Sequence, residues 1–236
     1  MSNRFKSRYD DDINLFEGRW HLAQYALLVA LLLAAPWLLG TYYLGELTAV
    51  LIWSLAGLGL MLISGHTGQV SLGHAAFMAI GAFTNLALMM RGWHFIPALL
   101  ASAVTSGVLG AIISRPILRM SGIYLAIATL ALSIIIEDVS IIAEPITGGV
   151  AGLFAPPIDM FGLKIDRYTS PAAFYYLCLT VLVIVTLGYL NLLRSASGRS
   201  FLAVRDSEVS ARALGVNVAR AKTRSFALSC AMTGLA

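Results

Sequence analysis

Side chains able to do chemistry are few in this 236-residue chain and fall in four places. His66 and His74 bracket Gln69 and Ser71 in SGHTGQVSLGH, residues 64–74. Glu137 and Asp138 stand side by side in the apolar run SIIIEDVSII, DDD occupies residues 10–12, and Cys178 and Cys230 are the only two cysteines. A metal site needs three or four ligands, yet no Cys, Asp or Glu accompanies the two histidines between residues 64 and 80, so no metal is expected. The aspartate triplet lacks a second acidic motif to share a metal with. No Gly-x-x-x-x-Gly-Lys-Ser/Thr loop occurs, so the chain itself is not expected to hydrolyse ATP. The cysteines sit in apolar runs and read as small buried residues. Catalytic residues are therefore not expected, and the remaining chemistry is that of polar groups set among apolar ones.

The elements that must position those groups are hydrophobic. Of the residues 58% are hydrophobic and 12% charged, with a mean hydropathy of +0.81, whereas soluble domains carry about 25% charged residues. A bilayer span needs about 20 mostly apolar residues. Such runs lie at 22–40, 44–63, 70–90, 95–114, 123–143 and 171–193, and another begins near Phe226. The expectation is an all-α polytopic membrane protein, with six complete transmembrane helices and a seventh cut short at Ala236. It divides into a tail, residues 1–21, and a membrane domain, residues 22–236. The polar tail precedes the first apolar run without a cleavage pattern, so no signal peptide is expected.

Lys and Arg flanking the spans set orientation, because positive residues are retained in the cytoplasm. With the amino terminus inside, the inner segments hold Arg4, Lys6, Arg8, Arg19, Arg115, Arg119, Arg194, Arg199, Arg205, Arg212, Arg220, Lys222 and Arg224. The outer segments hold Arg91, Lys164 and Arg167, which completes the 16 basic residues. The net charge of +4 thus reports topology, and nucleic-acid binding is not needed to explain it.

Two connections are long. The outer one, residues 144–170, contains EPITGGVAGLFAPP, whose Gly and Pro density opposes regular helix. In the inner one, residues 194–224, Asp206 or Ser207 can cap a helix on which Leu202, Val209, Ala213 and Val216 approximate an apolar stripe. Gly215 can end that helix in a left-handed conformation and Asn217 can cap the next. Such a helix either docks in a partner's groove or lies on lipid headgroups.

Four stretches carry a resemblance, in order along the chain: SGHTGQVSLGHAAFMAIGAF, SGIYLAIATLAL, TGGVAGL and GRSFLAVRDSEVSARALGVNVARAK. Together they are similar to permease subunits of branched-chain amino acid ABC transporters, a family that also includes urea and amide importer permeases. The resemblance implies a non-catalytic subunit in a bacterial cytoplasmic membrane. Its implied partners are a second permease, two cytoplasmic ATPase subunits that use ATP and Mg, and an external substrate-binding protein. It implies an ATPase-docking segment comprising Arg205, Asp206, Ser207, Glu208, Ser210, Ala211, Leu214 and Gly215. Importer permeases often carry Glu-Ala-Ala-x-x-x-Gly there; counting back from Gly215 places Val209 in the acidic position, so Glu208 does not inherit that contact. Relatives also tend to carry a glutamate where Ile134 stands, and Asp or Asn where Ala151 stands. A different class, a stand-alone carrier or membrane enzyme, would work without ATPase subunits.

A translocation path for a zwitterion must offer polar groups, since an unpaired charge or polar group costs several kcal/mol or more in hydrocarbon. The candidates are Gln69, Ser71, His74, Asn85, Thr129 and Glu137. Ser71, Ala75 and Ala79 recur at four-residue spacing, as do Gly73, Phe77, Gly81 and Asn85, which suits close helix packing. Gly65, Gly68 and Gly73 are expected to bend a broken helix shielded from lipid by protein.

Overall fold

The computed structural model describes residues 19–117, 122–160, 163–167 and 169–236. The aspartate triplet, Arg119 and the tail up to residue 18 lie outside the described residues.

The main helices are α1 (Arg19–Leu38), α2 (Thr41–Thr67), α3 (His74–Met90), α4 (Phe95–Ile117) and α5 (Ile123–Ile142). After the long outer connection come α7 (Pro171–Arg194), α8 (Ala196–Asp206), α9 (Glu208–Ala213) and α10 (Val218–Leu235). The outer connection holds a single-turn α6 (Glu144–Thr147), a 3-10 turn (Gly149–Ala151), and an antiparallel hairpin of β1 (Ile158–Met160) and β2 (Leu163–Ile165). The architecture is helical as expected, with that one small hairpin added where Gly and Pro exclude regular helix.

Among the described residues four helices are long and apolar enough to cross a bilayer, α2, α4, α5 and α7, which makes this a multi-pass membrane protein. Ala23–Leu38 and His74–Met90 form shorter apolar helices. The third expected span shrinks because residues 70–73 are not helical. α10 begins at Val218, directly after the Asn217 cap expected for it, and its first turns carry Arg220, Lys222 and Arg224 before the apolar part begins near Phe226.

α10 is the hub, packed on α2, α3 and α4. Close approach makes that contact possible. A Cβ on Gly81 of α3 would run into the Gly234 backbone of α10, and a Cβ on Gly59 of α2 would lie 2.6 Å from Thr233 Oγ1. Around these contacts Phe77 and Phe226, both fully buried, meet edge to face at 5.8 Å beside Cys230.

α7 packs on α2 and is tied to α1 through a consequence of Pro36. Proline has no N–H, so it cannot bond the carbonyl four residues back. That carbonyl belongs to Leu32, and Tyr175 Oη donates to it at 2.8 Å. Tyr176 Oη donates to the adjoining Leu33 carbonyl at 2.9 Å.

If the Gly81–Gly234 contact sets the α3–α10 distance, Gly81→Leu should destabilise the protein by about 3 kcal/mol, at the upper end of core overpacking. Gly57, where an added Cβ would meet nothing within 4 Å, serves as the control: Gly57→Ala should leave thermal unfolding in detergent unchanged or slightly raised.

Candidate functional site

Residues 64–74 divide into two parts. SGHT completes α2, and residues 68–73 then cross to α3 without helix. The end of α2 is widened: Gly68 takes φ +69° and its N–H bonds the Ile63 carbonyl, while Gln69 N–H reaches the same oxygen at 3.0 Å. A positive φ suits glycine because it has no Cβ to clash. Gly73 is required for a different reason, since a Cβ there would strike the Thr129 carbonyl of α5. Gly65 lies inside α2, which runs on through it to Thr67, and the atoms nearest its Cβ position are those of the flexible Met61 side chain.

Side chains of α10 and α5 supply what the break lacks. Ser229 Oγ donates its one proton to the Gly59 carbonyl at 2.6 Å. It must therefore accept from His74 Nε2, 2.5 Å away. That assigns the proton to Nε2 and leaves Nδ1 to accept from Ser71 Oγ at 3.0 Å. Thr129 Oγ1 donates to the Ala126 carbonyl at 2.9 Å and accepts from Leu72 N–H at 3.0 Å. Gln69 Nε2 donates to Ser225 Oγ at 3.3 Å, whose proton goes to the Lys222 carbonyl at 2.9 Å. Gln69 Oε1 is buried without a hydrogen-bond partner among the described residues.

The structure thus gathers four of the six path candidates, Gln69, Ser71, His74 and Thr129, as buried side chains around the break, in three separate sets of hydrogen bonds. Asn85 is apart from them, lining with Gly81 an apolar cavity of about 330 Å³ between α2, α3, α4 and α7. Glu137 is also apart, exposed on α5 beside Asp138. His66 serves packing: its Nδ1 lies 3.0 Å from Tyr189 Oη and 3.3 Å from the Met61 carbonyl. No group of three metal-ligating side chains occurs among the described residues.

An elbow abuts the break. Ser195 caps α8, accepting from Gly198 N–H at 3.3 Å, and Ser207 caps α9, accepting from Ser210 N–H at 3.2 Å. Gly215 turns the chain at φ +84° and Asn217 Oδ1 caps α10, accepting from Arg220 N–H at 3.0 Å. Phe201, Val204, Ala211 and Val218 bury the elbow's inner face in one cluster with Leu62. The expected stripe of Leu202, Val209, Ala213 and Val216 does not form. The chain breaks at Ser207, which resets the helical period and turns Val209 outward while Ala211 goes in. Val209 and Leu214 are each 81% exposed.

Polar ties fasten this elbow to the membrane helices. Arg205 Nη1 donates to the Gly65 carbonyl of α2 at 2.9 Å, with Asp206 alongside at 3.3 Å. Glu208 Oε1 meets Lys222 Nζ of α10 at 2.6 Å, and that lysine is 11% exposed. Ser225, Ser229 and Lys222 meet the break and the elbow and are not among the sequence candidates. Ser225, Ser229 and Thr233 recur every four residues, a pattern visible in a helix that starts at Val218.

The family model described as branched-chain amino acid transport system / permease component matches residues 42–236. The chain belongs to that family. Two relatives carry the name high-affinity branched-chain amino acid transport system permease protein LivM. The Salmonella typhimurium protein is 32% identical over 232 residues, covering 89% of this chain and 54% of the relative. The Escherichia coli protein is 32% identical over 236 residues, covering 89% and 55%. The chain therefore spans about half the length of these curated relatives. No solved structure matches it.

Removing one partner of a buried hydrogen bond costs about 1–3 kcal/mol. Ser229→Ala and His74→Ala should each destabilise by that amount, and the double variant by less than their sum, in a denaturant-unfolding cycle. Strict additivity would show that the two side chains do not share the hydrogen bond.

Proposed function

We propose that this chain is the transmembrane permease subunit of an ATP-driven importer of branched-chain amino acids. The observation that carries the reading is the elbow: two large apolar side chains, Val209 and Leu214, stand exposed on a segment pinned to the helix break by Arg205 and Lys222. Exposed apolar side chains next to a rigid support suit a protein partner, because burying them there costs little ordering. In this reading residues 205–215 dock into a cytoplasmic ATPase, with Arg205, Asp206, Ser207, Glu208, Ser210, Ala211, Leu214 and Gly215 forming or holding the docking surface.

The complex would comprise a second permease, two ATPase subunits that bind ATP and Mg, and an external binding protein, in a bacterial cytoplasmic membrane. The topology is six spans and the start of a seventh, with the amino terminus inside. Two groupings support it. Segments assigned inside, the end of α2 and residues 194–217, meet through Arg205 and the Gly65 carbonyl. Segments assigned outside, Thr41 to Thr48 and Arg167 to Phe174, share one cleft.

The geometry suggests how work is transmitted. A push on α9 reaches α10 through the Glu208–Lys222 pair and reaches the last turn of α2 through Arg205. Both helices hold the break, α10 through Ser225 and Ser229 and α2 through the Gly59 carbonyl. Shifting them changes the seat of Gln69, Ser71 and His74, and with it the way the path opens.

Leu214→Asp should leave the fold intact, because the side chain is exposed. It should cut ATP-driven leucine uptake by the reconstituted complex at least about tenfold, with reduced co-purification of the ATPase, as expected for a buried interfacial anchor. Gly215→Val, which forces a β-branched residue to φ +84°, should act in the same direction. Full uptake by both variants would overturn the docking assignment, and uptake independent of any ATPase would assign the chain to the stand-alone carriers.

A further inference from the structure

The cleft between the outer ends of α2 and α7 is lined by both charged and apolar side chains. It measures about 270 Å³ and brings Glu46 and Arg167 to one space, with Thr41, Pro171 and Phe174 in its walls. Glu46 stands in the second turn of α2. Arg167 stands in a turn closed by two bonds, from Ser170 N–H to the Asp166 carbonyl at 2.9 Å and from Asp166 N–H to Ser170 Oγ at 3.0 Å. Neither Glu46 nor Arg167 has an ion-pair partner among the described residues, so opposite charges face one cleft without neutralising each other.

The space beneath is apolar. Phe174 is a wall of this cleft and also of the 330 Å³ cavity, which Leu51, Leu55, Phe95 and Leu177 help to line. On α2 the transition takes one turn, from Thr48 in the charged cleft to Leu51 and Ile52 in the apolar cavity. A ligand fitting both spaces carries a cation and an anion at one end and an apolar group at the other.

We propose that Glu46 and Arg167 form an outer mouth that binds the ammonium and carboxylate of a zwitterionic amino acid while its apolar side chain points past Phe174 toward the cavity. A guanidinium presents paired donors to a carboxylate, and a carboxylate accepts from an ammonium. A simple amine or a simple acid leaves one of the two charges unmatched. This inference rests on the importer reading, since it assigns that reading's substrate a landing place, and it gives the selection of amino acids a component outside any binding protein.

The test pairs residues with ligands. The assembled complex, purified without the external binding protein in phosphatidylglycerol nanodiscs, is titrated with leucine, with isoamylamine, which lacks the carboxylate, and with 4-methylpentanoate, which lacks the ammonium. Leucine should bind the wild type at least about tenfold tighter than either half-ligand, as charged hydrogen bonds require. Arg167→Gln should abolish the preference for leucine over isoamylamine, Glu46→Gln the preference over 4-methylpentanoate, and Arg167→Lys should retain part of the former. Unchanged preferences in both glutamine variants would overturn the mouth, as would equal losses for all three ligands. Leucine binding that vanishes when phosphatidylethanolamine is added would assign the cleft to a lipid headgroup and also overturn it. Wild-type complex with its binding protein is assayed for ATP-driven leucine uptake in parallel. Uptake with no effect of either variant refutes the mouth alone, whereas no uptake of leucine, isoleucine or valine refutes the importer reading.

Discussion

Backbone that leaves helical geometry at membrane depth must find its hydrogen bonds inside the protein, because lipid offers none. Residues 68–73 leave helical geometry between two apolar helices, and much of the packing around them supplies the bonds that a helix would have given. Thr129 takes the Leu72 N–H, Ile63 takes the N–H groups of Gly68 and Gln69, and Ser229 joins His74 to the Gly59 carbonyl. These bonds require α10 to lie against α2 and α3 at backbone contact, which Gly59 and Gly81 permit, while Gly234 lets α10 approach Ser106 of α4. The small residues that look like simple packing and the polar residues that look like a path are two halves of one solution. The same logic operates at Pro36, where a missing N–H leaves a carbonyl for Tyr175 to satisfy.

Much of this is legible in the sequence because hydrophobic run length and Gly-rich interruption are local properties. The break between the second and third apolar runs, the caps at Ser207 and Asn217 and the left-handed turn at Gly215 follow from residues within a few positions of each other. What is not legible depends on pairs far apart in the chain. Ser229 is separated by 155 residues from the histidine it bonds, and its four-residue spacing from Ser225 and Thr233 marks a polar face without naming what that face meets. Gly65 looks like a hinge by type, but α2 continues through it since helix tolerates a glycine at modest cost. The stripe through Val209 fails because one cap at Ser207 shifts the helical phase, an offset that counting residues cannot reveal.

The acidic residues show the same division. Glu137 attracts attention because it stands in an apolar helix, yet it is exposed on α5 and away from the break. Glu208 and Glu46 sit in plainer surroundings and acquire meaning only from Lys222 and Arg167, residues from other elements. An acid's role here is set by which cation the fold delivers, and that delivery is a tertiary fact.

Among the described residues, the side chains at the break are hydroxyls, one amide and one imidazole, while the ties at the elbow beside it are charged. That distribution suits a part that must move. Exchanging one neutral hydrogen bond for another changes stability by about 1 kcal/mol, so the hydroxyl contacts of Ser71, Ser225 and Ser229 are the ones able to rearrange. Glu208 and Arg205 are each 45% exposed, so their contacts to Lys222 and to the Gly65 carbonyl are partly solvated and connect the elbow to the helices by geometry more than by buried charge. Gln69 Oε1, buried without a partner among the described residues, marks the same place, because an acceptor left unsatisfied in one seat gains a bond in another.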